Sequence, residues 1–425
     1  MKSRFLFYCI ASFSALTFAI SANANQSLSP KTYQALNDIQ TLLSESKYVE
    51  VEEELLELEE DLSPGFGLAL SYQIHAQLYL AQEDTAQAIN YFNKALKLEA
   101  MKATQAVSLA TNVSQLYLAD SDTAAAINVL LPRISAAEKE KQGSTIAMAY
   151  ITLGSAYQVK GDFSSSVTWL KEGIARAKKP RENWLQMLMA AHYQLKQYPQ
   201  AITLLDQLLV INETKEEYWL QQASLYQIQQ KPKKALEVLE LAYIRGRLEK
   251  KDGLILLVQL LVTQGAPERG GRLLHEMLQQ DKVEITESNW SLLASAWLQG
   301  RERVSAIMAL ENAALLSEKE SETAVDKKEK AASKNRAAKL YYRAAQLQFD
   351  EDQFAASIAN YQKSLKLGLS GKKVGTALLM QGNSYFELAD YSDAKLYFSK
   401  ALAEASSSNS ARAWLDYMQQ LELFE

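Results

Sequence analysis

The stretch Leu379-Met-Gln-Gly-Asn-Ser-Tyr-Phe-Glu-Leu-Ala-Asp-Tyr-Ser-Asp-Ala-Lys-Leu-Tyr-Phe-Ser-Lys-Ala-Leu402 decides how this 425-residue chain folds. Gly382 stands three residues before Tyr385, and Ala394, Phe398 and Ala401 follow at helical spacing. The pattern is a helix, a turn and a second helix, with large residues filling the pair and small ones letting the helices approach. The same register returns about every 34 residues from Thr32 to the C-terminus. Units start near Thr32, Ala69, Val107, Ala147, Glu182, Glu216, Lys251, Glu287, Ala338 and Gly375.

This register is similar to that of the tetratricopeptide (TPR) repeat. The second unit carries Tyr72, Ala76, Tyr79, Ala88, Phe92 and Ala95 in place. The sixth has Trp219, Ala223, Tyr226, Ala235 and Ala242, and the eighth Trp290, Ala294, Trp297, Ala306 and Ala313. The match weakens where Val51, Gly270 and Ser357 replace the alanine of the second helix. Sparse Gly and Pro suit helices throughout. The expected fold is an all-α TPR solenoid of stacked helical hairpins over 25–316 and 337–408, closed by a capping helix over 409–425. In that helix Trp414, Leu415 and Met418 would seal the last pair.

Between Leu316 and Ala337 the interval is too long for a bare turn, and its mixed charge leaves almost nothing to bury. Residues 317–336 are therefore expected to form a charged, mobile insertion or an extended helix end.

Lys2 and Arg4, the apolar run Phe5–Ile20 and Ala22-Asn-Ala24 form a secretory signal, with cleavage expected after Ala24. Residues 1–24 would then be lost, together with Cys9, the only cysteine. A thiol-free mature chain admits no disulfide, thiolate metal site or Cys nucleophile. No later run is apolar enough to span a bilayer. The formal net charge of −5 and pI near 5.6 argue against a nucleic-acid binder, and the Lys and Arg positions suggest no basic stripe.

A more specific resemblance rests on the central block. It comprises Asn183-Trp-Leu-Gln-Met-Leu, Tyr193-Gln-Leu-Lys-Gln-Tyr198, Tyr218-Trp-Leu-Gln-Gln-Ala-Ser-Leu-Tyr226, Ala235-Leu-Glu-Val-Leu-Glu-Leu-Ala-Tyr243 and Gly246-Arg-Leu248. With the opening Leu28-Ser-Pro-Lys-Thr-Tyr33 and the closing Ala413-Trp-Leu-Asp-Tyr417, it resembles the secreted TPR components associated with TonB energy-transduction systems of Gram-negative bacteria. The resemblance implies a periplasmic setting and TonB-, ExbB- or ExbD-like protein partners in iron or haem uptake. The charged insertion and the Gly270-Gly271 pair depart from that pattern.

Catalytic constellations are not visible. The three histidines, His75, His192 and His275, occur singly, and no Gly-rich phosphate loop is present. No cofactor or metal site is expected. The acidic run Glu50–Asp61 alternates with Val51, Leu55, Leu56 and Leu58 as a solvated helix face would.

The first helix of each unit is expected to line a concave groove. Its inward positions are Gln73, Gln77, Gln115, Gln158, Gln186, Tyr193, Gln227, Gln259, Ser291, Gln299 and Asn383, with Leu80, Ile151, Leu220, Ile255 and Phe386 interspersed. Gln77, Gln115, Gln158, Gln186, Tyr193, Leu220, Gln227, Gln259, Asn383 and Phe386 are the candidate partner-binding residues. Glutamine both donates and accepts, so this lining suits the backbone of an extended, weakly charged segment. A two-carboxylate clamp of the chaperone-tail kind is set aside: Lys339, Arg343 and Asn383 echo it, but Gln346 stands where Asn belongs. The function expected is a non-catalytic periplasmic scaffold serving TonB-dependent transport. An adaptor in outer-membrane biogenesis, secretion or cell-wall assembly is the alternative.

Overall fold

The computed structural model describes residues 28–138 and 143–423. The signal segment 1–24 and Cys9 lie outside the described residues. The chain divides into two compact units, one ending at Asn212 and the other beginning at Glu213.

The first unit holds five helix pairs: α1 (Pro30–Ser44) with α2 (Tyr48–Asp61), α3 (Phe66–Ala81) with α4 (Thr85–Lys97), α5 (Ala103–Ala119) with α6 (Thr123–Glu138), α7 (Gly143–Lys160) with α8 (Phe163–Arg176), and α9 (Glu182–Gln194) with α10 (Tyr198–Ile211). The second unit holds α11 (Glu216–Ile228) with α12 (Pro232–Ile244), α13 (Lys251–Thr263) with α14 (Pro267–Gln279), α15 (Glu287–Gln299) with α16 (Arg303–Thr323), α17 (Lys327–Asp350) with α18 (Phe354–Lys366), and α19 (Lys373–Glu387) with α20 (Tyr391–Leu402). Helix α21 (Ser408–Gln420) ends it. No strand occurs among the described residues, and the fold is the all-α array of TPR-type hairpins.

One local device makes every hairpin. After each first helix a single residue turns left-handed, as Glu83 (φ 65°), Lys196 (φ 57°) and Ala389 (φ 60°) do. The amide following it then reaches back five residues, Asp84 N to Tyr79 O at 2.8 Å and Asp390 N to Tyr385 O at 2.9 Å. This is a Schellman ending, which satisfies the last carbonyls of the first helix and reverses the chain. Asp84, Asp162 and Asp390 at once cap the second helix, each accepting from the amide three residues on. Such a cap contributes about 1 kcal/mol.

The small-residue register is the packing register. Ala88, Ala235, Ala306 and Ala394 have no solvent exposure. At the weaker positions Val51 and Ser357 fill the same buried slot, Ser357 Oγ donating to Ala345 O at 2.9 Å. Gly271, unexpected in a helix, has a reason: a Cβ there would stand 3.0 Å from the Trp297 ring, so glycine makes room for the indole of the next pair.

Within each unit, first helices touch the first helices of neighbouring pairs: α1 with α3, α5 with α7 and α7 with α9, then α13 with α15 and α17 with α19. Neighbouring second helices make no comparable contact. The first helices therefore lie on the inner side of the curvature within each unit.

Of the two forms expected for 317–336, the extended helix end is the one the structure shows. Residues 317–323 extend α16 and 327–336 open α17, leaving a turn at 324–326. Ser317, Ser321 and Ser333 are buried because short side chains let the two helices approach, with Ala337 continuing the contact. Arg336 pairs with Glu320 at 2.9 Å, and Tyr341 Oη donates to Glu318 at 3.0 Å. Its charges face outward from a seam of small residues.

Helix α21 caps the array as its composition suggested. Trp414 stacks on Phe398 (centroids 5.4 Å apart, planes 7° apart) and Met418 is fully buried.

Candidate functional site

The inner face of the first unit is largely closed on itself. Gln40 Nε2 donates to Gln77 Oε1 at 3.3 Å, Gln115 Nε2 to Thr152 Oγ1 at 3.3 Å, and Gln158 Nε2 to Met187 O at 3.5 Å. Each bond joins consecutive first helices. Gln73 turns back to Ala69 O (3.2 Å) and Met101 Sδ (3.6 Å). These amides stitch the repeats together, so the lining is in part a ladder that holds register. Gln186 is half-buried, whereas Tyr193 is 45% exposed and meets Tyr198 edge-on at 6.0 Å.

The second unit is different. Between α13 and α15 runs an open cleft of about 520 Å³ whose floor is Ile255, Leu256 and Val283. Its sides carry Asp252, Gln259, Thr286 and Asn289, and Lys251 pairs with Glu284 at 2.9 Å across one end. Val283 is buried and Gln259 exposed. The cleft persists because Thr286 Oγ1 caps α15, accepting from Asn289 N at 3.2 Å, while Asn289 Nδ2 donates to Glu284 O at 2.8 Å. Gln259 has no side-chain partner among the described residues. An apolar side chain can enter this cleft while its backbone meets the Gln259 amide.

The remaining expected residues divide. Gln227 is exposed and Leu220 half-buried on α11. Ser291 donates to Glu287 (2.6 Å) and Gln299 to Ser295 (3.3 Å). Asn383 Nδ2 reaches Met380 Sδ at 3.7 Å. Phe386 is not an open groove residue: it packs on Trp414 at 5.0 Å and Tyr391 at 5.5 Å, beneath the capping helix. The structure thus assembles Ile255 and Gln259 with Leu256, Asn289 and Thr286, which the sequence reading did not single out. The Thr286-Glu-Ser-Asn289 cap was the available signal.

Two buried imidazoles carry structural roles. His75 Nδ1 donates to Glu59 Oε1 at 3.0 Å, and its ring stacks on Tyr91 at 3.9 Å. Burial and the Glu59 carboxylate push the Tyr91 hydroxyl up to about 12. Glu52 likewise accepts from Tyr79 Oη at 3.3 Å, so part of the acidic run on α2 is turned inward and not solvated. His192 Nδ1 lies 2.6 Å from Gln197 Oε1, and burial lowers its pKa. Among the described residues no three of His, Cys, Asp and Glu gather as a metal site. No described helix is long and apolar enough to cross a membrane.

The net charge conceals a local excess of base in the second unit. Residues 327–373 contain eleven Lys and Arg against four carboxylates.

Residues 69–100, essentially α3 and α4, match the tetratricopeptide repeat family model. Among solved structures, the chain is similar to the C-terminal part of a TPR repeat-containing protein from Cytophaga hutchinsonii. Identity is 16% over 69% of this chain and 97% of that one, with a TM-score of 0.39. A structure of Naa15/Naa10 bound to HypK-THB aligns at 13% identity over 92% of this chain and 60% of that one, TM-score 0.42. The TPR2AB domain of yeast Sti1, in a complex with pHSP90, aligns at 16% identity over 66% and 100%, TM-score 0.33. No functionally curated protein matches the sequence significantly.

Proposed function

We propose that this chain is a scaffold that holds an extended segment of a partner protein against the first helices of its repeats, with no catalysis of its own. The observation that carries the reading is the α13–α15 cleft, where an apolar floor of Ile255, Leu256 and Val283 lies beside the unpartnered Gln259 amide. Apolar anchors in pockets together with backbone hydrogen bonds to side-chain amides are how grooves hold extended chains.

The setting we propose is the periplasm, and the partner a component of a TonB-type complex. The basic and apolar N-terminal segment and the resemblance of the central block support this. Affinity capture from the native host tests it. Recovery of TonB, ExbB or ExbD homologues, reduced by Ile255→Ala with Gln259→Ala, is the expected result. Recovery of outer-membrane assembly or cell-wall proteins alone would move the scaffold to the adaptor role. Equal recovery with the double variant would remove the cleft from the account.

A further inference from the structure

The excess of basic residues in the second unit has a defined centre. Lys339 and Arg343 lie one turn apart on α17, both exposed. Tyr342 between them has the Lys373 ammonium from α19 5.4 Å from its ring centroid, and its hydroxyl accepts from Gln346 Nε2 at 3.3 Å. On the other flank Lys363 Nζ sits 4.9 Å from the Tyr341 ring. Lys339, Arg343, Lys372 and Lys373 form no ion pair among the described residues. Among the acids that follow Arg343, Glu351 is turned to Arg303, with which it pairs at 3.1 Å. Unpaired cations on neighbouring helices, one of them held over a tyrosine ring, form in a net-negative chain a patch that attracts anions.

The strongest complementary surface belongs to the same sequence. Between Glu50 and Asp61, α2 carries eight carboxylates and no base. Glu52 and Glu59 turn inward, but Glu50, Glu53, Glu54, Glu57, Glu60 and Asp61 are exposed. Lys31 lies 3.8 Å from Asp61, and Lys47 acts on Glu50 at the start of the helix. Glu50, Glu53 or Glu54, and Glu57 recur at three- to four-residue spacing and so form one stripe, as Lys339 and Arg343 do on α17. Val49 and Leu56, 71% and 49% exposed, add apolar area to the same helix.

We propose that the chain self-associates by docking the acidic α2 of one copy on the α17–α19 basic patch of a second. This goes beyond the proposed function and uses a different surface. A contact that joins two unlike surfaces is heterologous, so it propagates unless the geometry closes it into a ring.

Sedimentation velocity on the full chain tests this. Self-association is expected at about 0.02 M salt, weakened at least about tenfold at about 0.5 M, where screening is nearly complete within a few ångströms. Glu53→Gln/Glu54→Gln/Glu57→Gln and Lys339→Gln/Arg343→Gln/Lys373→Gln change exposed side chains, so helical content should be retained in both. Each variant alone should sediment as a monomer. A one-to-one mixture leaves one intact acidic helix and one intact basic patch, and should form a dimer and nothing larger. Wild-type chain that stays monomeric at low salt, or self-association unaffected by either triple variant, would overturn the proposal. If the monomeric wild type bound an oligoglutamate peptide through Lys339 and Arg343, the patch would belong to an acidic partner and not to a second copy.

Discussion

Phe398 occupies the space that a side chain on Gly382 would need: a Cβ built there would stand 2.6 Å from two ring carbons. The missing methyl lets α20 lie against α19, and Trp414 of the capping helix stacks on the outer face of the same ring. Three helices therefore depend on one small residue. Gly382→Leu is expected to overpack the contact and cost about 1 to 3 kcal/mol, measured by chemical denaturation. An unchanged midpoint would mean that the last pair is not packed as described.

Glu59 and Glu53 offer a contrast on a single helix. Glu59 holds the buried His75 at 3.0 Å and also accepts from Ser71 Oγ at 3.2 Å, whereas Glu53 is exposed. Glu59→Ala leaves a buried donor without its acceptor and is expected to cost about 1 to 3 kcal/mol. Glu53→Ala should stay within about 0.5 kcal/mol of wild type. Equal effects would return the whole run to a solvated face.

His192 makes stability depend on pH. Burial lowers its pKa below the ordinary 6.5, so the folded chain favours the neutral ring while the unfolded chain takes up a proton first. Its contribution is complete above the ordinary imidazole value and is lost as pH falls through the lowered one. Thermal melting between pH 7 and about pH 5 should therefore fall more steeply for wild type than for His192→Tyr. Parallel pH profiles would show that the ring is not held neutral.

The α16–α17 extension is expected to resist proteolysis along its length. Its seam buries Ser317, Ser321 and Ser333, while Val325 at the turn is 99% exposed. A non-specific protease should cut first at 324–326 and spare 303–323. Early cleavage spread over 318–334 would restore the mobile insertion.

These contrasts show what the sequence made legible. The hairpin pairs could be read because the 3.6-residue period and the small-residue slots repeat, and Gly382, Ala88 and Ala394 announce them without any long-range information. For residues 317–336 a mobile insertion and a helix end both stayed open because composition records charge but not facing: Ser317 and Ser321, one turn apart, make the seam that the Glu and Lys around them conceal. Gln77, Gln115 and Gln158 could be placed on first helices by the register, but their bonds to Gln40, Thr152 and Met187 join residues 29 to 37 apart and leave no local signature. The basic patch was missed for the same reason, since Tyr342 and Lys373 meet only once α17 and α19 are side by side.

The central claim is that a partner segment lies on the first helices. A photo-reactive side chain placed at Gln259, in the α13–α15 cleft, and separately at Met308, exposed on the second helix α16, tests it most directly in intact cells. Irradiation should yield a discrete protein adduct from position 259 and none from position 308. Adducts of equal yield at both positions, or from position 308 alone, would contradict the account.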